Sequence, residues 1–336
     1  MARVITYMDA IAEALDQEMR HDPAVIAMGE DSIGGMGCEG ELGNAWGPTK
    51  GLHEKHPGRV LDTPITEAAF IGAAIGAAAT GLRPVADLLF VDFAGVCFDQ
   101  LLNQAAKLRY MSGGKATVPL VVRAMWGTGL RRGAQHSQAL LPIFAHVPGL
   151  KVVAPATAYD AKGLLAQAIR DDDPVIFFEH KMLYFAPGEV PEEPYTIPFG
   201  QAATVRRGDG CTVVASGRMV HVALEAAGEL AAGGIECEVI DLRTISPLDE
   251  ETIYASVGRT GRLVVVDEAN PRCGIAAEVA GLAAQHCFGS LRAPVRTVTA
   301  LHAPVPFSPP LEDAYTPAPG EVAAAVREVA GVPQPA

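Results

Sequence analysis

The stretch RVLDTPITEAAFIGAAIGAAATGLRPVADLLF, residues 59–90, contains the pattern that decides the fold of this chain. RVLDTPI and PVADLLF are apolar runs of strand length, and the residues between them, from Glu67 to Thr80, are mainly Ala, Gly and Ile and predict a helix. A strand, a helix and a second strand in this order are typical of a parallel sheet whose faces are covered by helices.

The same alternation extends in both directions from this unit. A second α/β series begins near residue 200, and between the two series the stretch FAPGEVPEEPYTIPF, residues 185–199, carries four prolines and three glutamates and predicts a linker. We therefore expect an α/β protein with two doubly wound domains, an N-terminal one with a parallel sheet over residues 1–184 and a C-terminal one with a mixed sheet over residues 200–336. One short helix is expected at the end of the chain. The further predicted elements are a helix over 5–20, strands at AVIAMGE, VPLVVRA, LKVVAP and PVIFFEH, helices over 99–114 and 159–170, and, in the second domain, strands at CTVVASG, IECEVIDLR, RLVVVDEA and VRTVTA with helices over 219–232, from Leu248 and from Gly274.

Composition excludes several classes of partner and site. The net charge of −13 argues against nucleic acid or an anionic membrane surface, because both bind clustered Lys and Arg. The six cysteines are scattered without a C-x-x-C pair, which favours neither zinc nor a disulfide framework and suits a reducing cytoplasm. The longest stretch of low charge, residues 68–82, is shorter than the roughly 18–20 residues that a membrane span needs.

Glu67 opens the Ala/Gly helix, and two interpretations of it stay open on the residues alone. In the structural one, Thr63 or Thr66 caps the helix, Pro64 suits its first turn, and the helix dipole favours Glu67 by about 0.3–1 kcal/mol. In the functional one, the small residues that follow let another backbone approach, so that Glu67 lies at a crowded interface, loses water and needs a hydrogen-bond partner.

A series of ordered motifs runs along the chain. They are GEDSIGG, GRVLDTPITE, RPVADLLFVDF, DQLLNQAAKLRYMSGG, GAQHSQ, PGLKVVAP, DAKGLLAQAIRDDDPVIFFEHK, DLRTISPLD and VVVDEANPRCG. In these motifs the chain resembles, over essentially its whole length, the β subunits of thiamine-diphosphate-dependent acetoin and 2-oxoacid dehydrogenases. GRVLDTP, VDFAGVCFDQ and VVVDEANPRCG are most similar to the acetoin branch.

The resemblance implies roles for five side chains. Glu67 matches the family's glutamate that reaches across a subunit interface to N1′ of the cofactor's aminopyrimidine, where it promotes deprotonation of the thiazolium carbon. Phe93 matches the ring that packs against the aminopyrimidine, with Leu89 and Ile65 as further apolar walls, although core packing is the default for such residues. His136, in GAQHSQ, matches a histidine assigned to proton transfer and positioning, although a single histidine in a loop is more often structural.

Metal sites have weaker support in the sequence. The acidic run RDDDP, residues 170–174, is typical of a solvated turn, but the resemblance implies a structural potassium ion held there by carbonyls of Leu120, Ala168, Asp171 and Asp173. Gly208-Asp209-Gly210 lacks the downstream Asn that completes a magnesium diphosphate site in thiamine enzymes, and it is better interpreted as a tight turn. The resemblance therefore assigns the diphosphate and Mg²⁺ to a separate α subunit.

Two smaller expectations concern loops. The Gly-rich loop from Ser32 to Thr49, by resemblance, leads toward the partner subunit. His53 and His56, in GLHEKHPG, are expected to be solvated.

The resemblance implies half of an active site in an α₂β₂ heterotetramer that docks on a dihydrolipoyl acyltransferase core. Acetoin would be cleaved to acetaldehyde and a hydroxyethyl-thiamine intermediate, and the acetyl group would be transferred oxidatively to lipoamide or an artificial acceptor. The alternatives are a pyruvate or branched-chain 2-oxoacid dehydrogenase β subunit, a non-catalytic partner-binding scaffold, and a self-sufficient transketolase-like enzyme. The expected location is the cytoplasm.

Overall fold

The computed structural model describes residues 3–33 and 47–333, so that most of the Gly-rich loop predicted over 32–49 lies outside the described residues. The chain forms two compact α/β units, one of residues 1–126 and 143–199 and one of residues 127–142 and 200–336. The expected fold class, two α/β domains, is confirmed. The segment 127–142, which carries His136, groups with the second unit. The proposed domain limits at 184/185 and 199/200 stay predictions.

The elements up to residue 190 follow the predicted alternation. Two short 3₁₀ turns, Val91–Phe93 and Lys181–Leu183, interrupt it, and the helix predicted over 99–114 contains a π-helical turn, Gln100–Ala105. The elements are β1 (Arg3–Thr6), α1 (Tyr7–His21), β2 (Val25–Gly29), α2 (Leu52–Lys55), β3 (Val60–Asp62), α3 (Glu67–Ala79), β4 (Arg83–Phe90), α4 (Ala94–Asp99), α5 (Ala106–Met111), β5 (Val121–Trp126), α6 (Leu141–Ala145), β6 (Lys151–Val153), α7 (Ala158–Arg170), β7 (Val175–His180) and β8 (Pro187–Val190).

The sheet of the first unit is parallel, as expected. Six of the described strands of this unit are arranged in the order β6-β7-β5-β4-β2-β3, and each neighbouring pair runs parallel. Strands β5 and β7 are buried at every position, which is typical of central strands covered on both faces. Because all six strands end at the same edge, the loops after β2, β3 and β4 are neighbours.

The proline-rich stretch 185–199 was expected to contain no regular element, and this expectation is wrong for four residues. Strand β8 pairs with β1 as an antiparallel ribbon, with Arg3 opposite Val190 and Thr6 opposite Pro187. Pro187 is the first residue of the strand and Pro191 follows its last residue, and an edge strand tolerates proline at such positions because no ladder hydrogen bond is lost.

The second unit continues the alternation of strands and helices. Its elements are β9 (Ala203–Arg206), β10 (Cys211–Ala215), α8 (Arg218–Ala232), β11 (Cys237–Asp241), β12 (Thr244–Ser246), α9 (Glu250–Thr260), β13 (Leu263–Asp267), α10 (Ile275–His286), β14 (Arg296–Thr299), α11 (Pro309–Tyr315) and α12 (Pro319–Ala330). The single C-terminal helix that was expected is in fact two, because Pro319 starts a new one.

The second unit has the expected mixed sheet. Its strand order is β14-β13-β10-β11-β9, in which β9 is antiparallel to β11 and the other pairs are parallel. Across the described ranges, no helix has the length and apolar character that a bilayer span requires.

His56 does not lie in solvent, which corrects the expectation for this residue. It is 6% exposed, and its ring nitrogens lie 2.8 Å from Asp16 Oδ1 and 2.8 Å from Arg59 Nη2. Burial raises the pKa of Asp16, but hydrogen bonds from Arg20, His56 and Lys55 outweigh burial and lower this pKa to about 2. Since Asp16 lies on α1, the local sequence around His56 did not reveal its partner.

Candidate active site

Three of the predicted cofactor contacts lie at the carboxyl edge of the first unit's sheet. Glu67 begins α3, just after β3, while Leu89 and Phe93 lie at the end of β4 and in the turn that follows it. Ligands of parallel α/β sheets bind in crevices beyond this edge. The fold therefore places these residues where a ligand can be reached.

Glu67 is a buried carboxylate whose partner is not supplied by residues 3–33 and 47–333. It is 9% exposed, and within those ranges it makes no hydrogen bond or ion pair. Its negative charge contributes to the pKa values of two neighbouring groups. Burial, followed by the Glu67 carboxylate, raises the pKa of the Cys97 thiol to about 12, and burial, Asp31 and Glu67 together raise the pKa of Glu30. A carboxylate in this position can exchange a hydrogen bond or a proton with a ligand.

The capping expected from Thr63 or Thr66 is not formed. Thr66 is the N-cap residue of α3, but its side chain makes no cap hydrogen bond, and its hydroxyl instead donates to the carbonyl of Pro64 at 3.2 Å. The Thr63 hydroxyl is buried without a partner in the part of the chain that the structure describes. Of the interactions that the structural interpretation of Glu67 invoked, capping by a threonine is therefore absent, and the favourable interaction of Glu67 with the helix dipole remains.

Leu89 adopts a left-handed backbone conformation, which is rare for a side chain of this type. Its φ is +60°, and its N–H donates to Asp87 Oδ1 at 3.0 Å. The register between β4 and β5 shifts between Asp87 and Phe90, so that Leu89 lies in a bulge. Such strained positions cost about 1–3 kcal/mol and concentrate at functional sites, which supports a role for Leu89 beyond core packing.

A buried ion-pair network, which was not predicted from the sequence, fixes this bulge. Arg123, on β5, is 2% exposed and donates to Asp87 Oδ2 at 3.2 Å and to both Glu179 oxygens at 2.5 and 2.9 Å. The Tyr184 hydroxyl donates to Glu179 at 2.7 Å, and burial together with the Glu179 charge holds the pKa of Tyr184 well above its usual value. The signal that could have revealed the network is one charged residue inside each of three apolar strands.

Phe93 and Ile65 differ in exposure. Phe93 is half-buried, and its ring meets that of Phe90 edge to face, with the centroids 5.8 Å apart. Ile65 is 70% exposed just before α3. Both present apolar surface near the same sheet edge, and their contacts with a cofactor stay predictions.

His136 lies in the second unit, whereas Glu67, Leu89 and Phe93 belong to the first. It is half-buried in the irregular segment between β5 and α6, and its N–H donates to the carbonyl of Gly133 at 3.4 Å. Its proposed role in proton transfer stays a prediction.

The acidic turn 171–173 is ion-paired rather than simply solvated. Lys151 donates to Asp171 at 2.6 Å and to Asp173 at 3.4 Å, and Arg109 donates to Asp173 at 2.6 Å. Burial raises the pKa of Asp173, but the hydrogen bonds and charges of Arg109 and Lys151 outweigh burial and lower it. Arg83 pairs with Asp172 at 2.8 Å.

The carbonyls predicted to bind potassium are partly used within the chain. Leu120 O accepts from Val175 N at 2.9 Å, Ala168 O accepts from Asp171 N at 3.3 Å, and Asp171 O accepts from Arg83 at 3.0 Å. In residues 3–33 and 47–333, no group of three or more His, Cys, Asp or Glu side chains is arranged to hold a metal ion. Potassium binding stays a prediction.

The comparisons with known proteins define the class of the fold. The model of the transketolase pyrimidine-binding domain matches residues 3–187, and that of the transketolase C-terminal domain matches residues 200–322. A solved structure titled "Split gene transketolase, inactive beta4 tetramer" is similar with a TM-score of 0.78 over 98% of this chain and 99% of that chain. At 22% identity this likeness shows the fold alone.

Relatives similar in sequence are more specific. The chain is 60% identical over 332 residues, 98% of each protein, to the acetoin:2,6-dichlorophenolindophenol oxidoreductase subunit beta of Cupriavidus necator. It is 43% identical to the 2-oxoisovalerate dehydrogenase subunit beta of Bacillus subtilis, over 97% of this chain and 99% of that protein. It is 45% identical to the pyruvate dehydrogenase E1 component subunit beta of Rickettsia felis, over 97% and 98%. The chain therefore belongs to the β-subunit family of thiamine-diphosphate-dependent acetoin and 2-oxoacid dehydrogenases, as its motifs indicated.

Proposed function

We propose that this chain is the β subunit of an acetoin-cleaving, thiamine-diphosphate-dependent oxidoreductase. The observation that carries the proposal is its 60% identity, over 98% of both chains, to a subunit named for acetoin, compared with 43% and 45% to the 2-oxoacid relatives. In the proposed reaction, acetoin and a lipoyl disulfide give acetaldehyde and an acetyl thioester with one free thiol. All atoms of acetoin are then accounted for, and the disulfide takes up the two electrons.

The first unit's sheet edge fits the pyrimidine half of the cofactor. When bound, thiamine diphosphate supplies the carbon nucleophile that attacks the substrate carbonyl. Glu67 is buried without a partner in the described residues, so its carboxyl is available to hold and relay a proton at N1′ of the ring. Leu89, Phe93 and Ile65 offer the apolar walls against which a flat ring packs.

The second subunit is proposed from the surface of α3. Ala69, Ala73, Gly76 and Thr80 are exposed at helical spacing and form a face of small residues that we call the small-residue face. A partner backbone can approach such a face closely, which supports an α subunit there and an α₂β₂ assembly. That subunit would bind Mg²⁺ and the diphosphate, because the Gly208–Gly210 sequence lacks its downstream Asn and lies immediately before β10.

The remaining parts of the proposal concern the wider assembly. We assign His136 the proton transfer that accompanies cleavage or acyl transfer. A dihydrolipoyl acyltransferase core as docking partner, a structural potassium ion at Leu120, Ala168, Asp171 and Asp173, and a location in the cytoplasm complete it. The described cysteines, Cys97, Cys211, Cys237, Cys273 and Cys287, are free thiols and are compatible with that compartment.

The test compares substrates on the heterotetramer. The chain is co-expressed with its α subunit and assayed with thiamine diphosphate, Mg²⁺ and an artificial electron acceptor, and kcat/KM is measured for acetoin, pyruvate and branched-chain 2-oxoacids. We expect acetoin to be preferred, with acetaldehyde released and no CO₂. Preference for a 2-oxoacid with release of CO₂ would contradict the proposal. Turnover by the β chain alone would instead support a self-sufficient enzyme.

A further inference from the structure

The loop that carries His136 is closed on itself. Gly127 N donates to the carbonyl of Gln138 at 3.3 Å, and this hydrogen bond joins the two ends of the loop. The loop backbone is unusual, because several of its residues have φ in the left-handed half: Gly127 (+90°), Gly129 (+108°), Arg131 (+56°) and Gly133 (+72°). A loop of this kind needs outside contacts to keep one conformation.

The first such contact is Glu268, directly after β13. Its side chain is 2% exposed, and its Oε1 accepts hydrogen bonds from Thr128 N at 2.5 Å and from Thr128 Oγ1 at 2.8 Å. The Thr128 hydroxyl also lies 2.7 Å from that of Thr316. A carboxylate buried in this way is costly unless it is hydrogen-bonded, and here the loop supplies the donors.

The second contact is Glu312, on α11, which is fully buried. Its Oε1 accepts from Gly129 N at 2.9 Å, and its Oε2 accepts from Arg131 Nη1 at 2.7 Å. Arg131 also donates to Asp313 at 2.6 Å and to the carbonyl of Pro309 at 3.1 Å. These bonds compensate for the strained φ of Arg131, a residue that is not glycine.

We propose that Glu268 and Glu312 are positioning residues of the reaction, which hold the turn Thr128–Arg131 and thereby fix the position of His136. The inference rests on the proposed role of His136. The buried carboxylates of Glu268 and Glu312 both accept hydrogen bonds from backbone N–H groups of one short turn. Charged residues with a purely structural role would instead connect helices and strands of the core. Because proton transfer depends on placement to within about 1 Å, loosening the turn should slow the reaction by about 10- to 100-fold.

The main test is a double-mutant cycle in the heterotetramer. Glu312→Gln is expected to lower kcat for acetoin by about 10- to 100-fold while the KM for thiamine diphosphate stays unchanged. Added to His136→Ala, the same substitution should cost nothing further, because Glu312 acts through the histidine. A second readout is independent of activity: trypsin should cleave after Arg131 and Arg132 sooner in Glu312→Gln than in the wild type.

A matched control is Glu238→Gln. Glu238 is also a carboxylate 2% exposed in the second unit, but it pairs with Arg259 and does not contact the loop. We expect this variant to lose stability without a change in kcat or in cleavage at Arg131. If Glu312→Gln does not fold, Thr128→Val serves instead. It removes the hydroxyl contacts to Glu268 and Thr316 and keeps the backbone hydrogen bond to Glu268, and it should also lower kcat.

The outcomes separate this inference from the proposed function. Unchanged kcat in folded Glu312→Gln, or an equal loss of kcat in the His136→Ala background, would overturn the inference alone. Full activity of His136→Ala would overturn the proposed role of His136, and this inference with it. A wild-type enzyme that does not act on acetoin contradicts the proposed function, and the trypsin comparison then decides whether Glu312 holds the loop.

Discussion

At the scale of one residue, Glu67 is a buried carboxylate whose partner we propose to be a bound cofactor. Burial of an unpaired carboxylate is costly, and within the described ranges nothing pairs with Glu67. Burial is the main cause that raises the pKa of the Cys97 thiol and that of Glu30, and the Glu67 charge adds to both shifts. A ligand or a second subunit that provides a hydrogen-bond partner would offset this cost, which supports a functional role for Glu67.

Glu67→Gln is expected to leave assembly intact and to lower kcat by about 10²–10⁴-fold, because glutamine cannot hold and release a proton. Size-exclusion chromatography of the heterotetramer and steady-state rates check the two parts. The control is Glu251→Gln, which removes an acidic side chain from the first turn of α9. If Glu67 served only the helix dipole, both variants would lose at most about 1 kcal/mol of stability and keep their activity.

The sequence predicted Glu67 but not the residues that shape the strand edge beside it. Glu67 is visible because it is the acid at the head of an Ala/Gly helix within a family motif. The sequence also shows the charged residues Asp87, Arg123 and Glu179, but it does not show that they pair. Arg123 lies 36 positions from Asp87 and 56 positions from Glu179. Their pairing depends on which strands become neighbours, and strand order is not readable from local pattern.

At the scale of elements, the proline-rich stretch 185–199 is anchored on α7. Lys162 is 1% exposed and donates to the carbonyls of Pro191, Glu192 and Glu193 at 2.6, 3.0 and 3.1 Å. Further along, Ile197 N donates to the carbonyl of Gly163 at 3.1 Å. Four prolines correctly predicted a break in the alternation, but not that the stretch would contain β8 and pack against a helix, because both depend on distant partners.

Gly163→Ala is expected to destabilise the protein because the anchored stretch leaves no space for a methyl group. A Cβ atom at this position would lie 2.6 Å from the Tyr195 ring and 2.7 Å from Ile197 Cγ1. Overpacking costs about 1–3 kcal/mol, against a gain in helix propensity of about 1 kcal/mol. Thermal unfolding should therefore show a lower midpoint.

The matched substitution is Gly228→Ala on α8, where nothing lies within 4 Å of the added atom. There only the propensity gain remains, so the midpoint should rise. A rise in both variants would show that the Tyr195 and Ile197 side chains move aside easily.

At the scale of the whole molecule, each of the two compact units is built from two separate segments of the sequence. Alternating strands and helices predicted two α/β domains, and the fold agrees. The alternation of strands and helices did not predict that residues 127–142 group with the second unit. A domain boundary placed in the sequence assigns each segment to the same domain as the residues on either side of it. Glu268 and Glu312, which bind that segment, lie more than a hundred residues further on.

The proposed heteromer makes a prediction for the small-residue face of α3. A Cβ atom added at Gly76, which is exposed, meets nothing within 4 Å in the single chain, so we expect Gly76→Trp to fold. In the heterotetramer the indole would occupy the space of the partner, and co-purification with the α subunit should fail. Gly228→Trp, also exposed on a helix with free space around it, is the control and should assemble. Normal assembly of Gly76→Trp would move the interface elsewhere.

The bonds from Glu268 and Glu312 to Thr128 and Gly129 have a consequence for recombination between relatives. A chimera joined at residue 200 inherits the histidine loop from one parent and its two carboxylate acceptors from the other. Parents that differ at these contacts would then yield hybrids that fold but hold the histidine loosely. The unit of exchange that keeps donors and acceptors together is residues 127–142 transferred with residues 200–336. Such a chimera needs three crossovers, near residues 127, 143 and 200, rather than one.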